Sequence, residues 1–336
     1  MKFGIWKWSL LILISAAAMS ACTKDTSEDD ELVGNWKKIS DFEGVARGEA
    51  ISTVLNDKVY AGLGFDGTNR LTDFWVYDAD LDFWKRKADF PGTPRNSAVS
   101  FAANNKVYVG LGYDGVNRLK DFWEYNPDTD SWKQVADFGG SARYGARAFA
   151  IADKGYVVAG FDGNNLKDFW MYDPTSNTWT QQVSPGGSKR VDPVVFVIDN
   201  KAYLACGSNN GINVDDCWMY DPSTGKWTEK RRMANISDEE YDDDYNIVRY
   251  QAVAFVVNNK AYVTTGINTT YLNTTWEYDA STDVWTQKTA FEGTAREGAI
   301  AFSVKGKGIV GLGRSTTLRF DDMRQFLPTE EANEDD

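Results

Sequence analysis

Tryptophan recurs along this chain at positions 36, 84, 132, 179, 227 and 285, with spacings of 48, 48, 47, 48 and 58 residues. A fixed period of this length means like units, each too small to bury its own apolar face, stacked so that neighbours share a core. Other residues keep step. Arginine follows four of the first five tryptophans, and the sixth, by eleven positions: Arg47, Arg95, Arg143, Arg190 and Arg296. The fifth unit carries an eleven-residue insertion, and Arg249 takes the place there. Tyr60, Tyr108, Tyr156, Tyr203 and Tyr262 follow in the same phase, each leading to a glycine-containing stop or its equivalent.

An aromatic run comes next in each unit: FWVYD at 74–78, FWEYN at 122–126, FWMYD at 169–173, CWMYD at 217–221 and TWEYD at 275–279. Each unit therefore predicts four short strands: the run after the arginine, a KVYVGLG-like run, the aromatic run, and a strand opening at the period-marking tryptophan. Asn-Lys and Asp-Lys pairs mark the first turn and YxPxTxxW patterns the last, which are hairpin signals. Aromatic residues make up 14% of the chain, as flat side chains on pleated surfaces require.

A four-strand unit of this length with Gly, Tyr and Trp marks resembles the kelch repeat. The resemblance covers residues 36–320 and implies an all-β, six-bladed kelch-type β-propeller over 35–327. The last unit offers three strands (AIAFSV, GIVGLG, TLRF) and no closing tryptophan, whereas Trp36 opens a lone strand with no blade before it. The N-terminal strand is therefore expected to pair into the last blade, closing the ring and removing its open edges.

Two lysines, an apolar run and small residues precede Cys22, the plan of a secretory signal at 1–21. Met19 to Cys22 resembles a lipobox, which implies lipidation at Cys22 and an outer-membrane lipoprotein on the periplasmic side or at the cell surface. Residues 22–34 read as an acidic tether, which also resembles the export tag of Bacteroidetes-type surface lipoproteins. Residues 328–336 read as an acidic disordered tail. The net charge of −13 argues against nucleic acid and anionic lipid as partners, leaving the membrane contact to the lipid anchor. No sign of dimerisation is present, and a closed ring suggests a monomer.

The glycine patterns at 62–67 and 110–115 match GxGxxG literally, but each precedes another strand rather than a helix and recurs at the blade period. Asp78, Asp80 and Asp82 hint at a calcium loop but align with ordinary turns in other units. Histidine is absent, which removes His-based triads and His-ligated zinc. Galactose oxidase shares the kelch fold, but its copper site uses histidines, so that likeness implies fold alone. No metal site or cofactor is expected, unless Ca²⁺ binds the acidic insertion at 237–246, which reads otherwise as a solvated loop or a lid. Cys206 and Cys217 replace residues of the other units together, on adjacent strands of one hairpin, which points to a disulfide in an oxidising compartment.

The candidate ligand site is the loop before each first strand. Arg47, Arg95, Arg143, Arg190, Arg249 and Arg296 lie there and are expected to ring a channel mouth, unless each pairs with a neighbouring acid. The residues just after them differ from unit to unit and include Glu49, Tyr144, Asp192, Tyr250 and Glu297. Divergence at one mouth of a regular repeat suits an asymmetric ligand. The DGxN loops near Arg70, Arg118 and Asn165 share that face and read as turns. Three functions remain open. A non-catalytic module would bind a glycan or envelope protein through the Arg-bearing face. A sugar-modifying enzyme, such as the six-bladed kelch sialic acid mutarotases, would need a cation for a sugar carboxylate and an acid for proton transfer. A carboxylate of raised pKa in the channel would favour it. A structural platform would have its channel packed shut.

Overall fold

The structure, a computed structural model, describes Met1 and residues 32–233 and 247–333. The signal segment with Cys22 and the insertion at 237–246 lie outside these residues.

Six four-stranded antiparallel sheets account for nearly all regular structure, and the described residues contain no helix. In the first blade the strands are Ile51–Leu55, Lys58–Gly62, Phe74–Asp78 and Phe83–Lys87, each paired to the next. The inner strands of the other blades are Val99–Ala103, Arg147–Ile151, Val194–Ile198, Val253–Val257 and Ile300–Val304. Each inner strand packs beside the inner strands of its two neighbours, and the sixth returns to the first. The chain is a six-bladed propeller with these strands around a central channel.

The first turn of each blade follows from its sequence. Asn56 and Asp57, Asn104 and Asn105, and Asn258 and Asn259 all hold left-handed backbones in successive pairs. Two such residues in a row make the tight turn whose twist matches flanking strands, and Asn and Asp tolerate it best. Aromatic packing then joins blade to blade. Phe101 stacks on Tyr108 at 5.1 Å within one blade and meets Tyr172 of the next at 6.1 Å. The period-marking indoles also stitch neighbours: Trp132 Nε1 donates to the carbonyl of Ala88 at 2.8 Å, and Trp227 Nε1 to that of Val183 at 2.9 Å.

The ring closes as the lone Trp36 strand predicts. Asn35–Ile39 pairs antiparallel with Met323–Leu327 as the outer strand of the sixth blade, setting Trp36 opposite Phe326. Trp36 is fully buried, edge-on to Phe291 at 5.0 Å, with Nε1 donating to the Thr289 carbonyl at 3.2 Å. The third strand of this blade is not TLRF, however, but Met323–Leu327. Leu318–Arg319 forms a short hairpin with Arg314–Ser315 instead. Met323 stands where the other third strands begin with Phe, Cys or Thr, and it fills that buried position without an aromatic marker. The tail is also ordered further than its charge suggests. The Glu330 carbonyl accepts from Gly34 N–H at 2.9 Å, and Asn333 N–H donates to Asn35 Oδ1 at 3.0 Å.

Candidate functional site

The six phase-marking arginines do not ring an open mouth. All are at most 1% exposed. Arg95 donates from Nη1 and Nη2 to Asp121 Oδ1 and Oδ2 at 2.7 and 2.8 Å, a two-pronged ion pair. Its remaining donors reach the carbonyls of Leu111 at 3.1 Å and Thr93 at 2.8 Å. Arg47, Arg143 and Arg296 repeat this with Asp73, Asp168 and Asp322. Arg190 pairs with Asp216. Arg249 has a threonine where the others have aspartate and donates to Thr274 Oγ1 at 2.8 Å. Without a carboxylate, burial pulls its pKa down to about 10. A guanidinium that is fully buried and fully hydrogen-bonded inside its own blade has nothing left to offer a ligand. These six residues therefore lock the loops, and their expected place at an open mouth is corrected.

The mouth itself is built two residues further on. Glu49, Ser97, Gly145, Asp192, Gln251 and Gly298 all have left-handed backbones, with φ between 51° and 63°. Their main chains form a closed circle. Ser97 N–H donates to the Glu49 carbonyl, Gly145 to Ser97, Asp192 to Gly145, Gln251 to Asp192, Gly298 to Gln251, and Glu49 to Gly298, at 2.7–3.3 Å. One hydrogen bond thus crosses each blade boundary. Behind this circle the inner strands line a cavity of about 180 Å³. That is room for several water molecules or a small ligand group.

The backbone circle is six-fold, but its side chains are two-fold. The order acid, hydrogen-bonding polar residue, glycine occurs twice: Glu49, Ser97, Gly145, then Asp192, Gln251, Gly298. In each half the polar residue donates to the acid before it: Ser97 Oγ to Glu49 Oε2, and Gln251 Nε2 to Asp192 Oδ2 at 3.3 Å. In each half the glycine makes room for the acid after it. A β-carbon on Gly145 would fall 2.8 Å from Asp192 Oδ1, and one on Gly298 would fall 3.0 Å from Glu49 Cγ. A cation also comes from each glycine's blade. Arg314 Nη2 lies 3.4 Å from Glu49 Oε1 and 2.8 Å from Glu297 Oε1, while Arg147 Nη1 lies 3.9 Å from Asp192 Oδ1.

The two halves differ electrostatically. Burial pushes the Asp192 carboxyl up to about 6, and the Glu49 charge adds to this against the pull of Arg147. Burial also raises Glu297, opposed by Arg314. Enclosure by protein lowers the pKa of Arg147, which Asp192 and Glu49 partly offset. Tyr144 and Tyr250 sit one position before the circle. Their main chains bridge to Phe161 and Ile267, and burial raises both hydroxyl pKa values. The structure thus brings Glu49, Asp192 and Glu297 together with Arg147 and Arg314, and flanks them with the two tyrosines.

A second circle surrounds the first. Arg70, Arg118, Asn165, Asn213, Tyr271 and Arg319 occupy like places in the loops between second and third strands. Each reaches the next blade. Arg70 lies over the Tyr113 ring at 5.1 Å, Arg118 over Phe161 at 5.1 Å and Arg319 over Phe65 at 5.7 Å. Asn165 Nδ2 donates to Asn209 Oδ1 at 3.1 Å, and Asn213 Nδ2 to Asn268 Oδ1 at 2.7 Å. Tyr271 Oη accepts from Thr316 N–H at 2.9 Å. The DGxN segments beside these residues are turns, as expected. Asp66 Oδ1 accepts from Thr68 and Asn69 N–H at 2.7 and 2.6 Å, and Asp114 does the same for Val116 and Asn117.

Kelch motifs match residues 94–139, 142–186, 189–234 and 249–290, more than half of the chain. The protein belongs to the kelch-repeat family. Among solved structures, that of YjhT is similar at 17% identity over 85% of this chain and 96% of that one, with a TM-score of 0.71. At that identity the likeness is one of fold. A comparison with curated protein sequences finds no match.

The kelch scaffold also explains the cysteines. Cys206 and Cys217 are free thiols in the structure, both buried, so the expected disulfide is not formed. Cys206 occupies the left-handed residue after the second strand, at φ 60°, whose carbonyl Arg190 grips at 3.1 Å. This bend turns its sulfur to Met233 Sδ and the Ile247 carbonyl, each at 3.9 Å. Among the described residues no group of metal ligands assembles. Arg147 was missed by pattern reading, yet the repeat carries its signal. The equivalent kelch positions are Ile51, Val99, Val194, Val253 and Ile300, so a cation there breaks an aliphatic rule.

Proposed function

We propose that this kelch propeller is an envelope-anchored, non-catalytic binding module that takes a glycan or a protein ligand at the channel mouth. Anchoring through a lipid on Cys22 belongs to the same proposal. The observation that carries the reading is the innermost circle. Its backbone repeats six times, whereas its side chains set two acids, Glu49 and Asp192, at the cavity, with Arg147 lining it beside Asp192 and Arg314 joining Glu49 to Glu297 just outside. Buried charges are costly for a scaffold to keep. A pure platform gains nothing from holding them at an unfilled channel, whereas a ligand site does.

A second reading, a sugar-modifying enzyme such as a mutarotase, has one observation in its favour. Asp192, at about 6, is poised to give and take a proton near neutrality, and Arg147 beside it suits the carboxylate of an acidic sugar. A thermal-shift screen of residues 30–333 against acidic monosaccharides, neutral sugars and acidic peptides tests the binding reading. A shift that Arg147→Gln abolishes supports it, and a screen without any shift contradicts it for these ligand classes. Any sugar that binds is then followed by polarimetry. Faster equilibration of its anomers, lost in Asp192→Asn, would replace the module with the enzyme.

A further inference from the structure

The outer circle is chemically divided in a way that the channel mouth does not require. From the sixth blade to the third it runs Arg319, Phe65, Arg70, Tyr113, Arg118, Phe161, each guanidinium laid over the ring of the following blade. Arg70 also packs on its own blade's Phe65 at 5.1 Å. Among the described residues none of these three arginines has a carboxylate within ion-pair distance. Most other charged side chains near the mouth are matched, as Arg314 is by Glu49 and Glu297. Arg118 is exposed, and Arg70 and Arg319 are half-buried. On a chain of net charge −13 this arc is a local exception, and its field falls off within about 8–10 Å in physiological salt.

The rest of the circle is Asn165, Asn213 and Tyr271, with further asparagines beside the first two. Asn165 bonds to Asn209 and Asn210, and Asn213 to Asn268, across the third, fourth and fifth blades. These bonds use the Nδ2 donors of Asn165 and Asn213 and leave their Oδ1 acceptors, with the Nδ2 donors of Asn209 and exposed Asn210, to meet a row of hydroxyl groups. Each guanidinium sits over a ring; Arg70 Nε is taken by Asn96 Oδ1 at 2.6 Å and Arg319 Nη1 by the Leu318 carbonyl at 3.2 Å, which leaves the Nη donors of Arg70, the Arg118 guanidinium and Arg319 Nη2 for carboxylates.

We propose that this rim binds an acidic oligosaccharide. Its carboxylates lie along the Arg319–Arg70–Arg118 arc, and its hydroxyls meet the asparagine arc. The proposal rests on the reading of this face as a ligand site and extends it from the channel to the rim. An acidic peptide satisfies the arginines but leaves the asparagine arc without matching hydroxyls, so the glycan is favoured.

Calorimetric titration of the folded protein with trigalacturonate, maltotriose and hexaglutamate tests this at low and physiological salt. The proposal expects trigalacturonate to bind, maltotriose to bind far more weakly, and the affinity to fall as salt rises. Arg118→Gln should weaken trigalacturonate about tenfold, the worth of one charge-assisted contact. Arg118→Lys should recover only part of this, because the charge returns without the planar fork. Arg118 is exposed, so both variants should keep the native melting temperature. Equal binding of maltotriose, or hexaglutamate binding as tightly as trigalacturonate, overturns the proposal. So does trigalacturonate binding that ignores Arg118→Gln. If such binding is instead lost in Arg147→Gln, the channel reading survives and the rim alone is removed. If no compound binds, the rim proposal fails, and the thermal-shift screen judges the channel separately.

Discussion

Arg147 of the third blade faces Asp192 of the fourth across a blade boundary, Nη1 to Oδ1 at 3.9 Å, where the other five blades place an aliphatic residue. The pair is too loose to neutralise the acid, so burial holds the carboxyl up at about 6 against an ordinary 3.8. Between those values the folded protein keeps a proton that the unfolded chain has lost. Folding stability therefore falls as pH rises through about 4 to 6, and the full cost of the buried charge is present above that window. Asp192→Asn should consequently stabilise the protein at pH 7, by on the order of 2 kcal/mol, and far less at pH 4. Urea unfolding at the two pH values checks this, and an equal effect at both would mean that Asp192 is not raised.

The buried arginines should behave in the opposite sense. Arg95→Ala leaves the Asp121 carboxylate without its two-pronged partner, a loss of roughly 3–5 kcal/mol for a broken buried pair. Arg95→Lys should recover little, because one ammonium cannot reach both oxygens and the Leu111 carbonyl. Arg118→Gln on the rim should leave the melting temperature within the scatter of ordinary surface changes, below about 0.5 kcal/mol. Differential scanning calorimetry of the three variants separates locking arginines from rim arginines.

Arg249 gives a gain-of-stability test. Its blade has Thr274 where five others have aspartate, and its guanidinium lacks a counter-charge. Thr274→Asp should supply one and raise the melting temperature by a few degrees. A lower melting temperature would show that the fifth blade cannot accept the pairing its neighbours use.

How far the sequence could be read depended on whether a residue's role repeats. The tryptophan period and the lone Trp36 strand gave blade number and closure, because each mark sits at one position of one unit. The third strand of the last blade was hidden, since Met323 and Phe326 replace the aromatic pattern while filling the same buried places. The arginines were visible but not their burial. Spacing places a residue in a loop, and only the folded loop shows the aspartate 25 or 26 residues later closing on it. Cys217 opens its strand as the spacing implied, yet Cys206 lies one residue past the end of the neighbouring strand, and the left-handed bend there aims its sulfur elsewhere. Arg147 needed comparison of the units with one another rather than a search for shared marks.

Those thiols give a further check. Burial pushes Cys206 up to about 11 and raises Cys217 as well, so neither supplies thiolate at neutral pH. A thiol reagent should modify both only after denaturation, and a reductant should leave the melting temperature unchanged. A fall in melting temperature on reduction would mean that a disulfide joins them after all.

Closure is testable at Trp36, which ties the first strand into the last blade under Phe291 and Phe326. Trp36→Ala should cost roughly 3–5 kcal/mol. A cost below about 1 kcal/mol would show that the ring holds without this strand.

The central claim is that ligand recognition lies in the mouth formed around Glu49, Asp192 and Arg147, not in the six repeated arginines. The most direct measurement is a calorimetric titration of galacturonate into the native protein and into Arg147→Gln at pH 7. The account predicts binding to the native protein and its loss in the variant, with an unchanged or higher melting temperature. Galacturonate that binds both proteins equally would contradict it.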